Sequence, residues 1–295
     1  MPGAAELRAL RRRIKSVKST QKITKAMELI AASRITKARN AVEQARPYAE
    51  GISRVIRDLA AESSLAQNPV LADRESVTTV AVIVITSDRG LAGAYNTNVL
   101  RRAEQIIERE ERAGMQVQLH TVGKKGDGYF RYRQRVLAST WTGVTDKPSY
   151  ADAAAVAKPI VQQFVAEDVD RVWMVYTDFR SALTQVPSAV RILPVDARAF
   201  EGGAGYAPEF MIEPEPDALL GALIPRYVEH QVFAGLLESA ASEHASRQRA
   251  MKAATDNAGD VLDSLTIQAN QARQASITTE ISEIVGGAEA LSSKK

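Results

Sequence analysis

Residues 77–86 read VTTVAVIVIT, a β-branched run in which apolar letters do not alternate with polar ones. A half-exposed strand would alternate, so this one is covered on both faces, the mark of a buried parallel strand. Ser87-Asp88-Arg89-Gly90 makes a turn after it, and residues 96–113 read as an amphipathic helix. Further strands are expected at 117–122, 136–140 and 171–177, with helices near 127–133 and 150–165. Strand alternating with helix means βαβ units and a mostly parallel, Rossmann-like sheet. Residues 186–195 supply an edge strand, the one place in a sheet where Pro187 and Pro194 are tolerated.

Outward from this region the period changes from two to that of a helix. One long helical segment runs from about residue 6 to 62 and another from about 217 to 291. They could reach ~85 Å and ~110 Å at 1.5 Å per residue, whereas an ordinary globular helix has ~11–12 residues. In the first, Leu7, Leu10, Ile14 and Val17 step by three and four, the spacing of a coiled-coil seam. The stripe is expected to pass through Ile23, Met27 and Ile30, thin at Ala38, Ala41 and Ala45, and return at Ile52, Val55, Ile56 and Leu59. Pro47 should bend or restart this helix, at a cost of ~3 kcal/mol. In the second, Leu219, Leu220, Leu223, Tyr227, Val228, Phe233, Leu236 and Leu237 make a heavy apolar face, interrupted early by Pro225. Alanine dominates afterwards, with Met251, Val261, Leu262 and Leu265 as larger anchors, and from Ser264 to Thr279 the only charge is Arg273. The fold class is therefore α/β: a long antiparallel coiled coil of amino- and carboxy-terminal helices plus a central Rossmann-like domain. The expected division is 1–68, 69–216 and 217–295.

Charge is more informative by position than by total. The net is +3, yet residues 1–25 carry eight Lys or Arg against the single carboxylate of Glu6. Arg11, Arg12, Arg13, Lys15, Lys18, Lys22 and Lys25 spread around the helix and ask for an acidic partner. Residues 1–46 contain no aromatic, so acidic protein loops are favoured over nucleic acid. There are no cysteines, which excludes disulfides and thiolate metal sites, and His120, His230 and His244 lack metal-ligand spacing. No apolar run is long enough for a membrane helix, and the basic start has no apolar core of a signal peptide. No catalytic residues, cofactor or metal are expected: there is no G-x-S-x-G elbow, H-E-x-x-H, Walker loop or G-x-G-x-x-G. Two turns stay open as ligand candidates. Asp88 either caps the following helix or faces a ligand at the strand end, and Gly123-Lys124-Lys125-Gly126 could take a phosphate. A ligand-binding α/β protein that oligomerises by coiled coils, and a basic coiled-coil nucleic-acid binder, are the competing classes.

Longer motifs narrow these. Residues 19–28, STQKITKAME, with Ala31-Ala32-Ser33, resemble the amino-terminal signature of the gamma subunit of F-type ATP synthases. Thr86-Ser87-Asp88-Arg89-Gly90-Leu91 is similar to that family's first strand-turn motif, and 251–258 (MKAATDNA) and 272–278 (ARQASIT) resemble its carboxy-terminal helix. The resemblance implies a central-stalk rotor that carries proton-driven c-ring rotation to the alpha/beta hexamer for ATP synthesis, regulates hydrolysis and proton flow, and holds no nucleotide itself. It implies alpha, beta and epsilon subunits and the c ring as partners, no nucleic acid, and peripheral attachment at the cytoplasmic face of a bacterial membrane. By position, Lys25, Met27, Arg273, Gln274 and Thr278 would meet beta, Gly286 onward would form the tip, and Glu213 would lie in the foot near the c ring. Leu91-Ala92-Gly93-Ala94 stands where many relatives have Leu-Cys-Gly-Gly, which argues against an essential thiol.

Overall fold

The computed structural model describes residues 2–60, 70–71, 74, 76–195 and 216–292. Its elements are α1 (Pro2–Ala60), β1 (Thr79–Ile85), α2 (Tyr95–Arg112), β2 (Gln116–Val122), α3 (Lys124–Tyr132), β3 (Leu137–Trp141), α4 (Tyr150–Val165), β4 (Arg171–Phe179), β5 (Gln185–Leu193) and α5 (Pro216–Ser292). They form two compact units. One holds residues 31–247; the other holds residues 1–30 with 248–295.

In the first unit β1 is the middle strand of a sheet ordered β3-β2-β1-β4-β5. It pairs in parallel with β2 and β4, β2 pairs in parallel with β3, and β5 closes the edge antiparallel to β4. Every residue of β1 after Thr79 is buried, as its unalternating sequence requires. Val80, Val82 and Val84 face Val99, Leu100, Ala103, Ile106 and Ile107 of α2 and Phe130 of α3. Ala81, Ile83 and Ile85 face α4, the start of α5 (Leu220, Ile224, Tyr227, Val228, Val232, Leu236) and Ile52 and Ile56 of α1. Each such aliphatic side chain contributes about 1.5–3 kcal/mol by leaving water. Ser149 starts α4 with a reciprocal capping box: its hydroxyl accepts from the Asp152 N–H, and the Asp152 carboxylate accepts from the Ser149 N–H at 2.8 Å.

Pro47 lies inside α1 and Pro225 inside α5, and neither proline restarts or interrupts its long helix, contrary to that part of the expectation. A proline removes one helical N–H donor; at the exposed position of Pro47 the freed carbonyl can turn to water. Beyond it, Ile52 and Ile56 are anchored in the core of the same unit, which holds the continuation in place.

The second unit is an antiparallel coiled coil. Leu10, Leu265 and Ala269 form its core with Leu7, Ile14, Val17 and Ala272 around them. Further along, the Thr255 hydroxyl meets that of Thr24 at 2.7 Å, and Gln21 lies beside Gly259. The seam therefore runs through Leu7, Leu10, Ile14, Val17, Gln21, Thr24 and Glu28, spaced alternately three and four, against Met251, Thr255, Ala258, Leu262, Leu265, Ala269 and Ala272 in the same spacing. The expected stripe through Ile23, Met27 and Ile30 leaves this register, and Ile23 and Ile30 are 57% and 55% exposed while Thr24 is buried. Val261, expected as an anchor, is 45% exposed for the same reason.

Candidate functional site

In the 31–247 unit the strand order reverses between β1 and β4, and open α/β sheets bind ligands outside the carboxyl ends at such a reversal. Here the chain fills that crevice itself. The Ser239 hydroxyl accepts from the Thr177 N–H at 3.3 Å, the Ser242 hydroxyl donates to the Thr177 carbonyl at 3.2 Å, and Arg247 donates to the Gly90 carbonyl at 3.2 Å. Tyr95 is buried beside them, and burial followed by the Glu243 charge raises its phenol pKa far above the ordinary value. The polar stretch of α5 from Ser239 to Arg247 thus stands where a ligand would.

In the two turns that stayed open as ligand candidates, the Asp88 carboxylate and the backbone N–H groups are used within the chain, while the Lys124 and Lys125 side chains are exposed. Asp88 does not cap α2, whose N-cap residue is Ala94 and which has no side-chain cap. Its carboxylate instead accepts from the Lys124 N–H at 3.1 Å and from the hydroxyl and N–H of Thr145 at 2.9 and 3.2 Å. Burial alone would raise its pKa, but these hydrogen bonds and one from Gly143 hold it below the ordinary value. The turn before α2 is braced by Asn96, whose side chain accepts from the Ser87 N–H at 3.0 Å. At the start of α3, the N–H groups of Lys124, Lys125 and Gly126 go to Asp88, the Ser87 carbonyl (3.0 Å) and the Thr86 hydroxyl (2.8 Å). A phosphate would find those donors taken. Gly123 adopts φ 96°, and a Cβ there would lie 2.6 Å from the Thr86 carbonyl, so its glycine serves close packing of two backbones. Among the described residues no group of three or more His, Cys, Asp or Glu could hold a metal.

The residues singled out for partner contact lie in the coiled-coil unit, apart from Glu213, which is outside the described residues. Lys25 is exposed and pairs with Glu28 one turn away at 3.0 Å. Met27 is half-buried, while Arg273, Gln274 and Thr278 are exposed. The Thr278 hydroxyl donates to the Gln274 carbonyl at 3.0 Å, which leaves its oxygen lone pairs outward. The antiparallel register brings Thr255 to Thr24, next to Lys25, and Ala272 to Leu7. The two sets of residues are thus not one site: they are separated by the length of the paired seam.

Two surfaces of this unit have no partner within it. Arg11, Arg12, Arg13, Lys15, Lys18 and Lys22 are all exposed, and among the described residues none has an ion pair. Every residue from Ile277 to Ala288 is exposed, and Ile277, Ile281, Ile284 and Val285 line one face of that segment at helical spacing. Reading the sequence for a buried seam passed over this stripe and over the outward Ile23–Ile30 face. The outward Ile23–Ile30 face becomes visible only when the heptad of Gln21, Thr24 and Glu28 is followed through its polar letters.

Comparisons with known proteins bear on the chain as a whole. The family described as ATP synthase matches residues 6–291. The chain is 52% identical to the ATP synthase gamma chain of Frankia casuarinae over 98% of its own length and 99% of that protein's. It is 49% identical to that of Saccharopolyspora erythraea, over 98% of each. Among solved structures, a chain of the Tetrahymena thermophila mitochondrial ATP synthase central stalk and c-ring matches with TM-score 0.62 and 28% identity, covering 79% of this chain and 99% of that one. A chain of the Euglena gracilis mitochondrial ATP synthase shares the fold at TM-score 0.66 and 20% identity, over 98% and 95%. With its coiled coil, its filled crevice and a match running nearly end to end, the chain belongs to the ATP synthase gamma-chain family.

Proposed function

We propose that this chain is the central-stalk rotor of a proton-driven ATP synthase, carrying rotation of a c ring to the catalytic head and regulating hydrolysis and proton flow. The observation that carries the reading is the coiled coil that satisfies its own seam while leaving its outer faces unpaired. A basic belt, an outward apolar face at Ile23 and Ile30, and a bare carboxy-terminal segment are surfaces for other chains. A subunit with its own crevice filled has no nucleotide chemistry to perform, so catalysis falls to its neighbours. Its effect on them is population shift: contacts that differ with orientation favour a different neighbour conformer at each angle.

In this reading Lys25 and Met27 meet an acidic loop of beta, and Arg273, Gln274 and Thr278 engage beta nearer the end of α5. Alpha and beta form the head, epsilon and the c ring meet the foot, and Glu213 belongs to that foot. No described helix is long and apolar enough to cross a membrane, so attachment is through the assembly, at the cytoplasmic face of a bacterial membrane. The test is co-purification of the full chain with alpha and beta, followed by steady-state ATP hydrolysis. A complex that hydrolyses faster than alpha and beta alone is the expected result. No complex, or no increase, rejects the rotor assignment.

A further inference from the structure

His244 sits in the polar stretch of α5 that fills the crevice and is 2% exposed. Its two ring nitrogens face different partners: Nδ1 lies 3.5 Å from Arg247 Nη1, and Nε2 lies 3.3 Å from the Asp146 carbonyl oxygen. A guanidinium has only donors, so Nδ1 is the acceptor and the proton sits on Nε2, where it is donated to Asp146. The surroundings therefore fit one neutral tautomer. Through that ring Arg247, which also binds Gly90 and the Glu243 carboxylate, is joined to Asp146, whose carboxylate pairs with Arg34 of α1. Four pieces of the 31–247 unit meet there: the turn after β1, the loop after β3, α1 and α5.

We propose that His244 is a proton-operated release for this clamp, bridging Arg247 and Asp146 when neutral and parting from Arg247 when protonated. A proton on Nδ1 would set an N–H and a positive charge against the Arg247 guanidinium. The charged and titratable groups around it come from every side: Glu243 and Arg247 on α5, Asp146 and Lys147 on the loop after β3, Arg34 and Lys37 on α1, Asp88 after β1, and Tyr95 on α2. The nearest opposite charge is the Asp146 carboxylate, 3.9 Å from Nε2. Burial, with Arg247 and Arg34 adding to it, outweighs Asp146 and holds the His244 pKa below its ordinary value. The neutral ring's contribution is thus present in full above pH ~6.5 and is lost as pH falls through the folded value.

Glu243 has the opposite sign. Burial pushes its pKa up to about 7 in spite of Arg247, so its contribution is full below the ordinary carboxylate value and is lost as pH rises through 7. The two slopes oppose each other in mildly acidic solution, and a test of His244 must silence Glu243. The Glu243→Gln chain serves as the reference, and the comparison is Glu243→Gln with His244→Gln. A glutamine amide can accept from Arg247 and donate to the Asp146 carbonyl as the neutral ring does, but gains no proton.

The measurement is amide hydrogen exchange over residues 239–247 of the full chain, with reference and double variant compared at each pH. Expected is an opening constant that rises in the reference, relative to the double variant, by up to about tenfold per pH unit below 6.5. Equal opening constants from pH 7.5 to 5 overturn the proposal. The parent chain gives an independent reading, because only three histidines contribute imidazole resonances. A His244 resonance titrating below 6.5 supports the clamp, and one titrating at or above 6.5 overturns it even if the variants fail to fold. In a chain working as a rotor, acid would loosen the grip of the α/β unit on this part of α5. The clamp stands whether or not the rotor assignment does.

Discussion

His120 on β2 is buried with neither ring nitrogen hydrogen-bonded, stacked against Trp141 at 6.2 Å. Burial pushes its pKa down to about 4, so the folded state keeps the ring neutral where the unfolded chain would protonate it. The resulting stability is whole above pH ~6.5 and drains away as pH falls toward 4, by about 2 kcal/mol at pH 5. Urea melts of the parent and His120→Leu chains at pH 7 and pH 5 check this; the leucine chain should lose about 2 kcal/mol less between the two. Asp170 works at the other extreme. Burial would raise its pKa, but the N–H groups of Thr79 and Thr78, and Arg74, hold it at about 2. Its contribution is whole above pH ~3.8 and is lost as pH falls through 2, so Asp170→Asn should cost about 2 kcal/mol at pH 7 and nearly nothing at pH 2. A melt at pH 7 with the parent's stability intact would contradict it. Neither role was legible as chemistry in the sequence. Alternation does place His120 on the face of β2 opposite Leu119, but only the packing of helices on that face of the sheet decides that it is buried.

At the scale of elements, the sequence was most legible where one physical rule acted alone. The run from Thr79 to Ile85 is apolar because helices cover both faces, and the strands and helices after it fall within a few residues of their expected places. Legibility failed where a rule acted through atypical letters. The seam continues from Val17 to Gln21, Thr24 and Glu28, whereas a search for apolar residues slides to Ile23, Met27 and Ile30 on the outer face. A threonine pair and a glycine opposite Gln21 pack closely without large side chains, which is why the register hides. Crosslinking separates the two readings, because the chain has no cysteine background. Thr24→Cys with Thr255→Cys should form a disulfide quickly under mild oxidation, the hydroxyls there being in contact. Ile23→Cys with Val261→Cys should not, since both side chains point outward. The reverse outcome would place Ile23 and Val261 in the seam.

For the molecule as a working part, what matters is how strongly its outer surface holds its surroundings. A rotor must break in each step every contact it made in the last. One anchor worth ~3 kcal/mol would slow escape from that angle roughly a hundredfold. In the proposed reading, the segment from Ser264 to Thr279, with small or uncharged side chains and the single charge of Arg273, would keep such wells shallow. The structure also decides where to probe it. Ala269 is buried in the seam and Ala272 packs against the same core, so large side chains there would disrupt the coiled coil itself. Gln271 and Ala275 are exposed and leave the seam alone. Removing Arg273 and Gln274 together by alanine should weaken binding to the alpha/beta head, each loss costing ~1–3 kcal/mol. Gln271→Trp with Ala275→Trp should do the reverse, binding the head more tightly and turning over more slowly. Head affinity and steady-state turnover, measured in parallel on the reconstituted complex, settle the point. A tryptophan chain that binds more tightly yet turns over as fast as the parent would show that shallow contacts at this surface do not set the speed.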